Sequence, residues 1–129
     1  MAKLLLVEDD ELNRDMLSRR LVRHGHEVAL AVNGEDALVH AAAHLPEVIV
    51  LDLSLPKMDG WEVARRLKAA APTAAIPIIA LTAHALADDR ARALAAGCDD
   101  YDTKPVVLDR LLSKIKVLIA KAASGAQRP

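Results

Sequence analysis

Along this chain, short continuous apolar runs alternate with stretches in which apolar residues recur at a helical period. Leu4–Val7, Val48–Leu51 and Ile78–Leu81 are apolar at every position. A strand with one face in water would alternate, so uninterrupted runs predict strands of a parallel sheet covered on both faces. With the shorter segment after Gly25 they give four strands: Lys3–Glu8, Glu27–Ala31, Val48–Asp52 and Pro77–Thr82. Between them lie helical stripes. Leu12, Met16, Leu17, Leu21 and Val22 make one, and Ala37, Leu38, Ala41, Ala42 and Leu45 a second. Val63, Ala64 and Leu67 follow, then Ala87, Ala91, Leu94 and Ala95. The last stripe, Leu108, Leu111, Leu112, Ile115, Leu118 and Ile119, is the most regular.

Turn-forming residues fall at the joints: Gly25, Asn33-Gly34, Pro46, Asp59-Gly60, Pro72, Gly97 and Pro105. A fifth strand is expected near Asp99–Thr103. Three aspartates around Tyr101 are poor strand formers, which places that strand at a sheet edge. The resulting order, βαβαβαβαβα, implies a doubly wound parallel sheet, because crossovers are right-handed and put helices on both faces. From Ala122 the apolar period lapses. Residues 1–121 are therefore expected to form one domain and 122–129 a flexible C-terminal tail. The sequence shows no internal repeat.

Composition narrows the classes. A chain of 129 residues builds one core, and with 53% hydrophobic and 27% charged residues it is globular rather than disordered. No apolar run approaches the ~18 residues of a membrane span. The short apolar run after Met1-Ala2-Lys3 is not a signal peptide, so the expected location is cytoplasmic. The single cysteine, Cys98, fits a reducing compartment. A net charge of −1 supplies no general attraction to nucleic acid or membrane, and Trp61 and Tyr101, the only aromatics, make no stacking platform.

Ligands of such sheets bind beyond the carboxyl ends of the strands, where the winding reverses. Those ends carry chemistry here. The first strand runs into Glu8-Asp9-Asp10-Glu11, the third ends on Asp52, the fourth on Thr82, and Lys104-Pro105 follows the fifth. If the first and third strands are neighbours, Glu8, Asp9 and Asp52 converge, and carboxylates that close repel unless a proton or cation intervenes. An all-oxygen acidic site suits Mg²⁺. Thr82 offers a hydrogen-bond donor and Lys104 a compact positive charge. A carboxylate nucleophile, a metal, a hydroxyl and an ammonium are the parts that phosphoryl transfer to an aspartate requires.

With those residues in place, the sequence resembles the receiver domain of two-component response regulators. The likeness runs from about Lys3 to Ala120 and rests on Leu4–Asp9 (LLLVED), Val48–Gly60 (VIVLDLSLPKMDG), Ile78–Ala83 (IIALTA) and Asp100–Pro105 (DYDTKP) in the same order and spacing. It implies a flavodoxin-like (βα)5 fold with strand order 2-1-3-4-5. It also implies that Asp52 is the phosphoacceptor, and that Glu8 and Asp9 with Asp52 and the Ser54 backbone carbonyl hold Mg²⁺. Thr82 and Lys104 then contact the phosphoryl group, and Thr82 and Tyr101 form the switch. Aligning Val7 with the end of the family's first strand selects Glu8 and Asp9 and leaves Asp10 and Glu11 outside. Arg14 then falls where the family often has a basic residue. The Lys104–Pro105 bond is often cis in this family. Val106 stands where the family often has Phe. Ser54 and His84 occupy positions that influence dephosphorylation.

Other features have plainer readings. His40 and His44 are one helical turn apart, but HAAAH lacks the glutamate of a zinc protease motif, and a solvated helix face accounts for them. Arg19-Arg20 and Arg65-Arg66 suit the wet faces of amphipathic helices. The Leu12–Val22 stripe is wider than one buried face needs, so Leu12, Asn13 and Met16 are expected to help dock the phosphodonor protein.

The expectation is thus a single-domain response regulator, not an enzyme in the ordinary sense. It takes a phosphoryl group from a histidine kinase or histidine phosphotransfer protein, and acts on a downstream effector protein as a monomer or weak dimer. An aspartyl-phosphate phosphatase is disfavoured because Ser54 stands where a second aspartate would act as acid and base. A nucleotide-binding module is disfavoured because acids replace a phosphate-cradling loop after the first strand. A phosphorylation-independent scaffold, or a receiver fragment of a larger regulator or hybrid kinase, is the remaining alternative.

Overall fold

The computed structural model describes residues 2–55, 58–83 and 87–126. Its elements follow the order β1 (Lys3–Val7), α1 (Glu11–Arg23), β2 (Glu27–Ala31), α2 (Gly34–His44), β3 (Val48–Asp52), α3 (Gly60–Ala69), β4 (Ile78–Thr82), α4 (Ala87–Ala95), β5 (Asp100–Thr103) and α5 (Leu108–Ala126). All neighbouring strands are parallel, in the order β2-β1-β3-β4-β5. This is the doubly wound α/β fold expected, with β5 at an edge.

The continuous apolar runs are explained by the pleat. Successive side chains of a strand point to opposite faces, and both faces are covered here. Leu5, Val7, Ile49, Leu51, Ile78 and Ala80 pack with Ala37, Ala41, Val63, Ala64, Leu67, Ala93 and Ala96 of α2, α3 and the α4 region. Leu4, Leu6, Val48, Val50, Ile79 and Leu81 face the other way, onto Leu17 and Leu21 of α1 and Leu111, Ile115 and Leu118 of α5. β3 and β4, in the middle, are buried at every position.

Helix starts follow local chemistry. Asp10, Asn33 and Asp59 each cap a helix by accepting a hydrogen bond from the backbone N–H three residues on, all at 2.9 Å. The α2–α3 contact is close enough that a Cβ on Gly34 would lie 2.7 Å from Val63 Cγ2.

Two expectations about helices are corrected. In α4 the buried side is marked by Ala93, with Ala96 just beyond the helix, whereas Ala91, Leu94 and Ala95 are exposed. With apolar residues at five of the six positions from Ala91 to Ala96, several stripes are possible, and the sheet selects the one made of small methyl groups. In α5 the helix does not stop where its apolar period lapses: residues 122–126 continue it to Ala126.

The aspartates that made β5 a poor strand candidate are each held by a cation from elsewhere. Asp99, just before β5, accepts from Lys68 Nζ and from the Ile78 N–H, both at 2.9 Å. Lys114 Nζ lies 3.6 Å from Asp100, and Arg110 grips the buried Asp102 at 2.7–3.0 Å.

Candidate functional site

The β1–β3 register pairs Val7 with Leu51, so one residue further on Glu8 and Asp52 emerge side by side at the carboxyl end of the sheet. Ligand oxygens of Glu8, Asp9 and Asp52 all lie within 4.8 Å of one another. Glu8 and Asp52 are 4% and 2% exposed, while Asp9 opens to solvent. Across from them, Lys104 Nζ sits 3.0 Å from Asp52 Oδ2 and 3.2 Å from Glu8 Oε1.

The backbone holds this cluster. The Ser54 N–H donates to Asp52 Oδ1 at 3.0 Å, so the two oxygens of Asp52 meet an N–H and an ammonium. The Asp10 N–H donates to Glu8 Oε2 at 3.3 Å. Arg14 donates to the backbone carbonyls of Glu8 (3.0 Å) and Asp9 (3.3 Å), tying α1 to the turn that carries both acids. Of the four consecutive acids, Glu8 and Asp9 therefore face the site, Asp10 caps α1, and Glu11 begins it.

Three carboxylates face one ammonium, and the electrostatics reflect this imbalance. Burial, reinforced by the hydrogen bond and charge of Asp52, pushes the Glu8 carboxyl up to about 7. Burial alone would push Lys104 down, but its bonds to Asp52 and Glu8 outweigh that and hold it above its ordinary value. Without a metal, the Glu8 carboxyl binds a proton more readily than an ordinary carboxylate. A small divalent cation would replace that proton, and the all-oxygen, partly water-facing donor set fits Mg²⁺.

The remaining residues expected at the site divide as follows. Thr82 ends β4 and is buried, and its carbonyl accepts the Lys104 N–H at 2.8 Å, which locks the two strand ends together. The Lys104–Pro105 peptide is cis. Tyr101 is half-buried against the core on the α2–α4 side of the sheet. Ser54 is exposed, and His84 lies outside the described residues. Asn13 and Met16 line a groove of about 530 Å³ with Glu8, Lys104, Pro105 and Val106. Leu12 does not: it faces a separate hollow beside Arg14 and Leu30.

Sequence reasoning missed the Ser54 N–H, because its role lies in backbone geometry rather than in the side chain. It also missed Gly60 as a spacer. A Cβ there would lie 2.6 Å from Leu53 Cα, so only glycine lets α3 begin against the loop leaving Asp52.

A family model described as the response regulator receiver domain matches residues 4–116, spanning most of the chain and every site residue above. The chain belongs to that family. Receiver domains are the phosphoacceptor modules of two-component systems, as the resemblance implied. Among curated relatives, the response regulator MprA of Mycolicibacterium vanbaalenii is 38% identical over 119 residues, covering 92% of this chain and 51% of the relative. This receiver domain thus spans about half the length of the curated relatives it matches. Among solved structures, a response regulator from Chloroflexus aurantiacus superposes with a TM-score of 0.88 at 33% identity, covering 92% of this chain and 98% of the other. The receiver domain of sensor histidine kinase PA1611 from Pseudomonas aeruginosa, solved with a magnesium ion coordinated in its active site cleft, gives 0.86 at 34% identity, with the same coverage. No helix among the described residues is long and apolar enough to cross a membrane.

Proposed function

We propose that this receiver domain accepts a phosphoryl group on Asp52 from a phosphohistidine of a kinase or phosphotransfer protein, and that the product state changes its affinity for an effector protein. The observation that carries the reading is the setting of Asp52. It is a buried carboxylate at a strand end, with Lys104 at 3.0 Å on one oxygen and the Ser54 N–H at 3.0 Å on the other. Glu8, Asp9 and Asp52, together with the Ser54 backbone carbonyl, are the ligands we assign to Mg²⁺. When bound, Mg²⁺ supplies positive charge that offsets the phosphoryl oxygens during transfer.

An oxygen of Asp52 forms the new O–P bond while the N–P bond of the phosphohistidine breaks, and the imidazole leaves with that electron pair. The Ser54 N–H fixes the rotation of the carboxylate. Lys104, a point charge on a flexible stem, moves from carboxylate to phosphoryl oxygen. The product carries roughly −1.5 to −2 charges where one carboxylate stood. Thr82 donates to a phosphoryl oxygen, and its backbone link to Lys104 passes its displacement to the end of β5. Tyr101 turns inward, and the face formed by α4, β5 and α5 changes its partner affinity. Phosphorylation thereby shifts a population between two states, limited by how differently the group binds each.

The switch is assigned to the cytoplasm, with the receiver domain acting as a monomer or weak dimer. The net charge of −1 supports protein partners rather than nucleic acid or membrane. Ser54 and His84 are assigned to tuning the lifetime of the phosphorylated state, and Asn13 and Met16, with Leu12 at their margin, to docking the donor. The test is chemical trapping. After incubation with a small phosphodonor and Mg²⁺, borohydride reduction of the acyl phosphate should convert residue 52 to homoserine, read by peptide mass. Modification at another carboxylate, or at none, would refute the assignment.

A further inference from the structure

At the end of the sheet away from Asp52, α2 carries a pair of histidines. His40 and His44 stand one turn apart on α2, with ring centroids 4.4 Å apart and planes tilted by 32°. Side chains at this spacing share a helix face, and the same spacing places two imidazoles on one metal ion in zinc-binding helices. Both rings line a hollow of about 190 Å³ beside the first residues of β1 and β2, together with Lys3, Glu27, Val28 and Pro46.

The place of the pair in the helix favours a cation there. The pair lies in the C-terminal part of α2, where unpaired carbonyls and the helix dipole give a partial negative charge. Leu45, in the left-handed conformation at φ 47°, ends the helix directly after His44.

We propose that His40 and His44 chelate a divalent transition-metal ion of the class that prefers imidazole: Cu²⁺ most tightly, then Ni²⁺ and Zn²⁺. The order follows the general affinity series for nitrogen ligands. Among the described residues no third histidine, cysteine or carboxylate joins the pair within ligating distance, so water or an outside ligand completes the sphere. Hard Mg²⁺ has little affinity for imidazole, which separates this site chemically from the acidic one.

The test uses the untagged chain with Mg²⁺ in excess, titrated with Cu²⁺ and followed by electron paramagnetic resonance and calorimetry. The expected result is one tight equivalent with a two-nitrogen hyperfine pattern. His40→Gln or His44→Gln should abolish that pattern and weaken binding by about tenfold or more, a change of about 1.4 kcal/mol. His44 is exposed and His40 half-buried, so metal-free melting of His44→Gln should match the parent. Zn²⁺ should then raise the melting temperature of the parent and not of the double variant. An oxygen-only spectrum in the parent, or a two-nitrogen spectrum that survives in the double variant, would overturn the proposal.

Discussion

Adding one methyl group at Gly60 should disable the phosphorylation site without touching any side chain in it. In Gly60→Ala the new Cβ would meet Leu53 Cα at 2.6 Å, Leu53 Cδ2 at 2.8 Å and the Asp52 carbonyl at 2.9 Å. Carbon pairs rest at about 3.5–4.0 Å, so the backbone at Leu53 has to retreat by roughly 1 Å. That segment is tightly held. The Leu53 N–H donates to the Leu81 carbonyl at 3.0 Å, its carbonyl accepts from Gly60 at 3.3 Å, and the next N–H, that of Ser54, orients Asp52. Overpacking of this kind costs about 1–3 kcal/mol. Alanine returns at most about 1 kcal/mol of helix propensity, less at a first helical position. The balance is a net loss on the order of 1–2 kcal/mol, or about 4–8 °C in melting temperature for a domain of this size. The catalytic effect is larger, because a reacting group misplaced by about 1 Å can lose about 100-fold in rate. Thermal melting and the rate of phosphorylation by a small-molecule donor measure the two. A variant that melts within a degree of the parent and phosphorylates at the parental rate would refute the reasoning.

Four other outcomes are expected. The Glu8 carboxyl, raised from 4.5 to about 7 in the metal-free fold, contributes stability that is fully present below pH 4.5 and is lost as pH rises through 7; Mg²⁺ should restore it at neutral pH, and melting curves that respond to neither pH nor Mg²⁺ would contradict this. Thr82→Ala should still be phosphorylated but should show no gain in effector binding, so equal binding by the phosphorylated mutant and parent would count against the switch. Arg110→Met leaves the buried Asp102 without its cation, and should lower the melting temperature more than Arg19→Met, whose pair with Asp15 is exposed on both sides. Met16→Ala should slow transfer from the cognate phosphodonor protein while leaving the small-donor rate intact, since Met16 lines the groove beside Lys104 and offers no group to the chemistry; an unchanged protein-donor rate would remove it from the docking surface.

Much of the molecule was legible in the sequence where a local pattern has one physical meaning. Uninterrupted apolar runs such as Val48–Leu51 mean a strand covered on both faces, and the two cores bear this out side chain by side chain. The acids and the lysine at strand ends pointed to a site because parallel strands bring such ends together, and Glu8, Asp9, Asp52 and Lys104 do converge. What escaped depends on partners distant in the chain or on backbone placement. β5 looked weak because Asp99, Asp100 and Asp102 were counted without Lys68, Lys114 and Arg110, which compensate them. The face of α4 was misread because alanine satisfies several periodicities at once. Leu12 was grouped with Met16, yet Leu12 lines the hollow shared with Arg14 and Leu30, and Met16 the groove beside Lys104.

The most direct test of the account is intact mass after incubation with a small phosphodonor, with and without Mg²⁺, on the parent chain and on Asp52→Asn. The expected result is a gain of one phosphoryl group in the parent, dependent on Mg²⁺ and absent from the variant. No gain under any condition, or an equal gain in Asp52→Asn, would contradict it and leave a receiver fold that works as a scaffold without phosphorylation at Asp52.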